Sequence, residues 1–282
     1  MTQYVSTDTS RGILECGPPS AEERYSERYR RQISELLNRV ADGESPLGIL
    51  RAYLPGDVAL EQSRRVRSHR LLSAYERAPE IKKLGSPYYD AVRTANTEAE
   101  YWCTASQAIS QIRAMFAPQL APIDSIRLDL QDFGRQDVNP LRNALGQVAF
   151  AGLARVFDSA GTLPHCDRLD WDAPRERFRG TPTSQVAANV YLEVPEVGGE
   201  IEIWDLVPSF EEHEGLSIAN SYGLDRRKLG PPAWVVKPRT GDVVFFDARC
   251  VHAVRPSTHG LRVTSSAFLV QFSKHGAFYI YS

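Results

Sequence analysis

The amino-acid sequence predicts an α+β fold with a mainly β core, in which a mostly helical first half packs against many short strands. Apolar residues recur at helical spacing in the first half, whereas short apolar runs fill the second half. Glycine and proline separate most of these runs. Short strands spaced in this way are typical of a sandwich or a barrel.

Four helices are expected in the first half, over residues 21–40, 46–54, 57–78 and 87–117. The first carries one apolar stripe. Ser45-Pro46 and Ser86-Pro87 each place an N-cap residue before a proline at the first helical position. Asp57 is expected to cap the third helix, and Pro118 and Pro122 to end the fourth.

From Ile126 the pattern changes to the two-residue period of a half-buried strand, which residues 126–131 are expected to form. The other expected strands are 148–157, the segment around His165, 186–194, 200–204, 234–237, 242–246, the segment around His252, and 262–272.

The expected division is a helical region over residues 1–147 and a β core over 148–282, together forming one structural domain. Residues 206–232 are polar and lack strand alternation, which predicts an insertion over one end of the barrel. Two interpretations of this insertion are equally open, a lid and a solvated surface loop.

Composition bounds the class of protein. A chain of 282 residues with 42% hydrophobic content can bury one substantial core without disulfides, and its four scattered cysteines predict reduced thiols. A net charge of -2 argues against nucleic acid and anionic membranes as partners. With no apolar run near the roughly 20 residues of a membrane span, a cytoplasmic protein with a small-molecule substrate is expected. The oligomeric state is left open.

A metal site is predicted from His165-Cys166-Asp167 and the distant His252. On a strand, His165 and Asp167 would point to the same side. Two imidazoles and one carboxylate form the facial triad of Fe(II) sites, which leaves coordination positions open. A His-x-Asp pair alone is weak evidence, so its context must carry the prediction.

Arg262 supplies part of that context, because Thr264 and Ser266 share its face on a strand. A guanidinium beside two hydroxyls fits a carboxylate, which arginine binds through two parallel hydrogen bonds.

The order of motifs resembles the prolyl-4-hydroxylase-like branch of the 2-oxoglutarate/Fe(II) dioxygenase superfamily over roughly residues 148–272. In sequence, the matching motifs are His165-Cys166-Asp167, Asn189 to Leu192, Gly198-Gly199-Glu200, Lys237 to Phe246, His252 and Gly260-Leu261-Arg262. Many peptidyl hydroxylases of this branch have lysine where Arg262 stands, and residues 1–146 match no known pattern.

The resemblance implies a double-stranded β-helix, a jelly-roll barrel with iron at its mouth. It implies Fe(II), 2-oxoglutarate and O2 as cofactors, with ascorbate as an optional supporting reductant. His165, Asp167 and His252 would hold the iron, and Arg262 the distal carboxylate of 2-oxoglutarate. Asn189 and Tyr191 would help to line that pocket.

The expected activity is hydroxylation of an unactivated C–H bond in a small amino acid or amino-acid-derived metabolite, as in natural-product tailoring. Arg155, Asp170 and Trp171 are the candidate substrate-binding residues, because they would flank the barrel mouth with charges of both signs and an aromatic wall.

Several alternatives stay open. The same chemistry could close a ring, desaturate the substrate or hydroxylate a peptide or protein side chain. A non-enzymatic jelly-roll binding module and a zinc hydrolase on the same ligands are rivals from other classes.

Overall fold

Helices dominate the first half of the chain and strands dominate the second half. The computed structural model describes residues 3–5, 12–20, 22–75, 78–92, 95–173, 178 and 180–282. After a 3-10 turn at Glu23–Tyr25, the helices are α1 Glu27–Ala41, α2 Gly56–Arg67, α3 Tyr88–Ala91, α4 Ala95–Phe116, α5 Pro122–Asp132, α6 Leu169–Asp172, α7 Phe210–Leu216 and α8 Arg226–Leu229.

The strands form one large mixed sheet and two small ones. They are β1 Gln3–Val5, β2 Ile13–Cys16, β3 Leu47–Leu50, β4 Ser73–Ala74, β5 Ile81–Leu84, β6 Val138–Pro140, β7 Leu153–Asp158, β8 Ser184–Glu193, β9 Val197–Gly198, β10 Ile201–Ile203, β11 Trp234–Val236, β12 Val243–Asp247, β13 His252–Val254, β14 Ser257–His259, β15 Leu261–Gln271 and β16 Phe278–Tyr281. The large sheet has the order β1-β2-β3-β12-β8-β15-β7-β5-β4, with β16 between β15 and β6. The small sheets are β11-β10-β13 and β14-β9.

Strand β12 shows how the layers are arranged, since it is buried on both faces. Val243 and Phe245 pack in the core that the large sheet shares with the helices. Val244 and Phe246 point the other way, into a second core between the large sheet and β10 and β11. Burial on both faces explains why this strand is a continuous apolar run rather than an alternating one.

Residues 126–131 form part of helix α5, so the expected strand there is wrong. Pro122 opens the helix at its first turn instead of ending the preceding one, and Ile123, Ile126 and Leu130 are buried at helical spacing. The apparent alternation arose because Ile126 and Leu130 are four residues apart and share the buried face of a helix as readily as that of a strand.

The short helix expected after Ser45-Pro46 is also wrong, because Leu47–Leu50 is the strand β3, paired with β2 and β12. The Ser45 hydroxyl lies 2.7 Å from the Gly12 carbonyl and 2.8 Å from the Leu47 carbonyl, and it caps no helix. All four residues of β3 are buried, so burial between layers overrides the local capping signal.

Three other helix boundaries differ from expectation. Helix α1 begins at Glu27 with Ser26 as its N-cap. Helix α2 has Pro55 as N-cap without a cap from Asp57, and it ends at Arg67. The segment after Pro87 forms α3 and α4 rather than one helix. The strands β4 and β5 replace the expected end of the third helix, and β5 pairs with β7.

Most expected strands of the second half are present as β8, β10, β11, β12, β13 and β15, with ends shifted by a few residues. The strand expected at 148–157 is narrower, as β7, and His165 makes an isolated bridge outside any named strand. The large sheet crosses the expected boundary at residue 148, because β3 and β5 pair with β12 and β7. Among the described residues, no helix has the length and apolar character that crossing a membrane requires.

A buried ion-pair cluster joins β2 and β3 to the turn before β12. Arg51 is 7% exposed, and its guanidinium lies 2.8 Å from Glu15 and 2.6 Å from Asp242. The Asp242 carboxylate also accepts hydrogen bonds from the backbone N–H of Ala52 and Arg239. Arg51 therefore neutralises an aspartate that is itself 1% exposed.

Arg51→Ala is expected to lower the free energy of unfolding by roughly 3–5 kcal/mol, because it leaves a buried carboxylate without its counter-ion. Urea denaturation monitored by circular dichroism measures the change. Arg31→Ala is the matched control, since Arg31 pairs with Glu27 at the surface and such pairs contribute at most about 1 kcal/mol. Equal losses in the two variants would contradict a structural role for the buried cluster.

Candidate active site

Two histidines from distant parts of the chain are held together by their own backbones. The His165 N–H donates to the His252 carbonyl at 2.9 Å, and the His252 N–H donates to the His165 carbonyl at 2.8 Å. Their ring centroids lie 4.3 Å apart. This bridge brings the segment before α6 against the first residue of β13, so both imidazoles face the same space.

Asp167 completes the cluster. Its backbone N–H donates to the Ala248 carbonyl at 2.9 Å, and its carboxylate lies 3.3 Å from His252 Nε2. One ligand atom from each of His165, Asp167 and His252 lies within 4.8 Å of the other two. The structure thus brings together the three residues that the sequence predicts as metal ligands.

Hydrogen bonds to backbone carbonyls fix how both imidazoles carry their protons. His165 Nδ1 lies 2.8 Å from the Leu163 carbonyl, and His252 Nδ1 lies 2.9 Å from the Cys250 carbonyl. A carbonyl only accepts, so each Nδ1 carries the hydrogen and each Nε2 keeps its lone pair. Metal-binding histidines are commonly oriented in this way.

The electrostatics also favour ligand forms at neutral pH. Burial and the neighbouring His252 lower the pKa of His165 to about 4. Burial alone would raise the pKa of Asp167, but its contact with His252 and the nearby His165 and Arg155 lower the pKa to about 2. A neutral imidazole therefore stands beside an ionised carboxylate, as a divalent cation requires.

Arg262 is a buried cation without an anionic partner among the described residues. It is 4% exposed, and its Nη2 donates to the Tyr191 hydroxyl at 3.3 Å. Its guanidinium lies over the rings of Phe157 and Tyr191, 4.6 and 5.1 Å from their centroids. Its Nε has no hydrogen-bond partner. Burying such a charge unpaired is costly, so the arrangement fits an anionic ligand.

The other residues predicted for this pocket lie on the same sheet face, with different roles. Ser266 and Asn189 are opposite each other on β15 and β8, and both line the cavity described below. The Thr264 hydroxyl is buried without a hydrogen-bond partner. Tyr191 contacts Arg262 from behind the cavity wall. Neither Thr264 nor Tyr191 is part of the lining.

One cavity of about 290 Å³ contains the histidine–aspartate cluster and reaches Arg262. Among the predicted substrate residues, Arg155 and Trp171 line it, whereas Asp170 does not. Asp170 instead binds the guanidinium of Arg168 through two contacts of 2.9 and 2.8 Å. Asp170 therefore does not line the cavity, because α6 turns its carboxylate towards Arg168.

The insertion contributes to the cavity wall through His213 and Tyr222. The Tyr222 hydroxyl accepts a hydrogen bond from the Leu163 N–H at 3.0 Å, and its ring meets the edge of His165. The ring of Trp171 packs edge-on against His213, 5.1 Å between centroids. Nothing in the polar sequence of the insertion distinguishes these two residues from their neighbours, and sequence reasoning missed them.

The insertion is fixed at its far end by a buried carboxylate. Glu202 on β10 is 2% exposed and lies 2.5 Å from Arg226 and 2.8 Å from Arg255. The Trp204 indole N–H donates to the Gly230 carbonyl at 3.0 Å. These contacts tie α8 to the small sheet, so the segment that carries Tyr222 begins and ends on fixed structure.

Sequence reasoning also missed Asp172, which lines the cavity and has no ion pair or side-chain hydrogen bond among the described residues. Burial and the nearby Asp167 raise the pKa of Asp172 to about 7. Perturbed carboxylates in clefts are candidates for functional residues. Positions 170 and 172 are both aspartate, and the sequence does not indicate which of the two carboxylates faces the cavity.

Comparison with known proteins identifies the class. Residues 151–270, which are less than half of the chain, match the model of the 2OG-Fe(II) oxygenase superfamily. The family predicted from the motif order is thereby confirmed.

Two relatives extend the comparison. The chain is 30% identical over 136 residues to L-isoleucine 3(1)-dioxygenase of Pantoea ananatis, a match that covers 46% of this chain and 46% of that enzyme. It therefore spans about half the length of this curated relative. The structure superposes on the N-substituted L-amino acid dioxygenase of Burkholderia ambifaria with a TM-score of 0.60, 17% identity, and coverage of 89% of this chain and 91% of that one. The two proteins share a fold.

Asp172→Asn is expected to stabilise the metal-free protein more at pH 8 than at pH 5. The folded state holds a proton on Asp172 up to about pH 7, whereas an unfolded aspartate loses it near 3.9. The folded state thus binds more protons than the unfolded state across this window, so the wild-type residue costs stability as pH rises. Thermal unfolding at pH 5, 6.5 and 8 measures the difference between the two proteins.

Glu211→Gln, which removes an exposed carboxylate from α7, is the control and should show no such trend. A Tm difference for Asp172→Asn that is the same at all three pH values would contradict the raised pKa.

Proposed function

We propose that this protein is an Fe(II)- and 2-oxoglutarate-dependent oxygenase that hydroxylates an unactivated C–H bond of a small amino acid or amino-acid-derived metabolite. The observation that carries the proposal is the buried Arg262, a cation without a carboxylate partner among the described residues, in the same cavity as two histidines and one aspartate. A metal site alone fits many functions. A metal site with a vacant carboxylate anchor fits this co-substrate.

In this proposal His165, Asp167 and His252 hold Fe(II), and Arg262 binds the far carboxylate of 2-oxoglutarate. Thr264, Ser266, Asn189 and Tyr191 shape the surroundings of that carboxylate. The donor set fits the metal because both Nε2 atoms are free to bind and Asp167 is ionised. With 2-oxoglutarate and O2, the iron supplies the oxidant for C–H hydroxylation, and succinate and CO2 are released.

The residues of the chain provide placement. Phe157 and Tyr191 flank the guanidinium of Arg262 and exclude water from it. The Leu163 and Cys250 carbonyls hold the two imidazoles in one orientation. Fixing the reactants in this way removes much of the entropic barrier to reaction.

We further propose that residues 148–282 form a double-stranded β-helix core, with the insertion at 206–232 covering one end. The large and small sheets pack face to face around a shared apolar core, which supports this architecture. The fold shared with the Burkholderia enzyme supports it as well.

Amino acids are the substrate class that the relatives favour. The Pantoea enzyme is named for L-isoleucine and the Burkholderia enzyme for N-substituted L-amino acids. The cavity has polar and charged side chains beside apolar ones such as Ala78, Ile81 and Phe268, which suits a small molecule with a charged end and an aliphatic end.

The direct test is anaerobically purified protein supplied with Fe(II), 2-oxoglutarate, O2 and a panel of free and N-acylated L-amino acids. We expect at least one compound to stimulate succinate release and to gain one oxygen by mass spectrometry, whereas loss of two hydrogens would indicate desaturation or cyclisation. His165→Ala and His252→Ala should abolish stimulated turnover, and His259→Ala, at an exposed histidine, should not. Succinate release that stays at the uncoupled background with every compound would overturn the proposal.

Arg262→Met is expected to raise the stability of the ligand-free protein and to weaken co-substrate binding. Replacing a buried unpaired charge by an apolar side chain should stabilise the ligand-free protein, by roughly 1–4 kcal/mol. It should weaken 2-oxoglutarate binding at least about 30-fold, because the carboxylate loses its charged partner. Urea unfolding and anaerobic calorimetry measure the two effects.

Arg64→Met is the control for Arg262→Met, since Arg64 is an exposed residue of α2 paired with Glu61. It should change neither quantity. If Arg262→Met destabilised the protein and left 2-oxoglutarate affinity intact, Arg262 would be a structural residue.

A further inference from the structure

Two charged side chains of the cavity make no hydrogen bond or ion pair with the three predicted metal ligands or with Arg262 among the described residues. They are Arg155, on β7, and Asp172, at the end of α6. Both line the cavity, and they carry opposite charges once Asp172 has lost its proton. Neither has an ion-pair partner among the described residues.

Arg155 contacts neutral groups only. Its Nε donates to the Tyr75 hydroxyl at 3.0 Å and its Nη1 to the Ser266 hydroxyl at 3.0 Å. Both hydroxyls orient the guanidinium without neutralising it. A guanidinium held in one orientation at a cavity wall is suited to receive a carboxylate, because little side-chain entropy is lost on binding.

Asp172 is not paired with Arg168, the arginine four residues before it in the chain. Arg168 is the nearest arginine along the described chain, and Asp170 already binds it through two contacts. The Arg168 guanidinium also stacks on the Trp171 ring, 4.5 Å from the ring centroid, and this contact helps to hold Arg168 beside Asp170. Among the described residues, the Asp172 carboxylate in the cavity lining therefore has no hydrogen-bond donor or ion-pair partner.

The charges of the loaded site show what remains to be bound. Doubly charged Fe(II) with Asp167 and Arg262 would be balanced by doubly negative 2-oxoglutarate. Of the arginine and aspartate side chains described in the lining outside the metal cluster and Arg262, Arg155 and Asp172 remain, because Arg168 is paired with Asp170 and Asp90 with Lys83. A ligand complementary to this pair carries one charge of each sign.

We propose that the cavity binds a free α-amino acid as its zwitterion, with Arg155 on the carboxylate and Asp172 on the α-ammonium group. This inference rests on the proposed function and narrows its substrate class. An N-acylated amino acid would place a neutral amide against Asp172 and leave that carboxylate desolvated without a counter-charge, which is unfavourable. The proposed substrates of this chain thus differ from the N-substituted L-amino acids for which the Burkholderia enzyme is named.

The apolar lining indicates where the rest of the substrate lies. Tyr75, Ala78 and Ile81 come from the segment that pairs with β7, so they are on the same side as Arg155. Trp171 lies beside Asp172 in α6. A small aliphatic side chain fits between these walls better than a charged one.

The test is anaerobic calorimetry on protein loaded with Fe(II) and 2-oxoglutarate, in which O2 is absent and no turnover occurs. The probes are L-isoleucine, L-leucine and L-methionine, each with its N-acetyl derivative. We expect at least one free amino acid to bind 10-fold or more tightly than its N-acetyl form. Asp172→Asn should weaken the binding of that free amino acid by about 10- to 100-fold and leave the affinity for the N-acetyl form unchanged.

Arg155→Met should weaken the binding of the free and N-acetyl forms to the same extent, because both forms have the carboxylate. Neither variant should change 2-oxoglutarate affinity, which also shows that the loaded site is intact. Glu211→Gln, at the exposed face of α7, is the charge-matched control and should bind every probe as the wild type does.

The two levels of the proposal fail differently. Any of three results would overturn the zwitterion site: tighter binding of the N-acetyl forms, an unchanged preference for the free amino acid in Asp172→Asn, or loss of 2-oxoglutarate affinity in Arg155→Met. The oxygenase proposal would still hold if another compound gave coupled turnover. Absence of stimulated succinate release with the whole panel would overturn the oxygenase itself.

Discussion

The reciprocal backbone hydrogen bonds between His165 and His252 are the constraint on which the site depends. They join a segment outside any named strand to the first residue of β13, and they align two imidazoles whose Nδ1 atoms are each held by a carbonyl two residues earlier in the chain. The donor geometry is therefore built from main-chain contacts. Side-chain packing from Phe246, 4.8 Å from the His252 ring centroid, only supports it.

Around this bridge the protein keeps charges that it does not neutralise itself. Arg262 and Asp172 both face partly or fully desolvated surroundings without an opposite charge among the described residues. Away from the cavity, Arg51 is paired with Asp242 and Glu202 with Arg226. The contrast is informative because unpaired charge is costly to fold, and it occurs here where ligands are proposed to bind.

The sequence was sufficient for the parts of the fold that depend on local pattern. The order of motifs predicted the superfamily, and the expected strand at 242–246 is present as β12. Residues 47–50 and 126–131 were misassigned because the first is decided by pairing with β2 and β12, and the second by a proline that starts a helix. Both decisions depend on neighbours that a local pattern does not contain.

Part of the site was also predictable from the sequence. The order of motifs predicted His165, Asp167, His252 and Arg262, and the structure brings all four to one cavity. The choice between Asp170 and Asp172 was not predictable, since it depends on which carboxylate Arg168 binds. His213 and Tyr222 come from a polar insertion in which no periodicity marks an inward face.

The cavity has two kinds of wall, and they differ in how freely they can change over evolutionary time. The isolated bridge of His165 with His252 and the pairing of β15 with β8 hold the metal cluster and Arg262, and a one-residue shift in these pairings would misplace their side chains. Trp171, Asp172, His213 and Tyr222 lie on a short helix and an insertion outside the sheets. Mutation and length change are tolerated better there. New substrates can therefore arise in descendants of this chain while the oxidising centre is inherited unaltered.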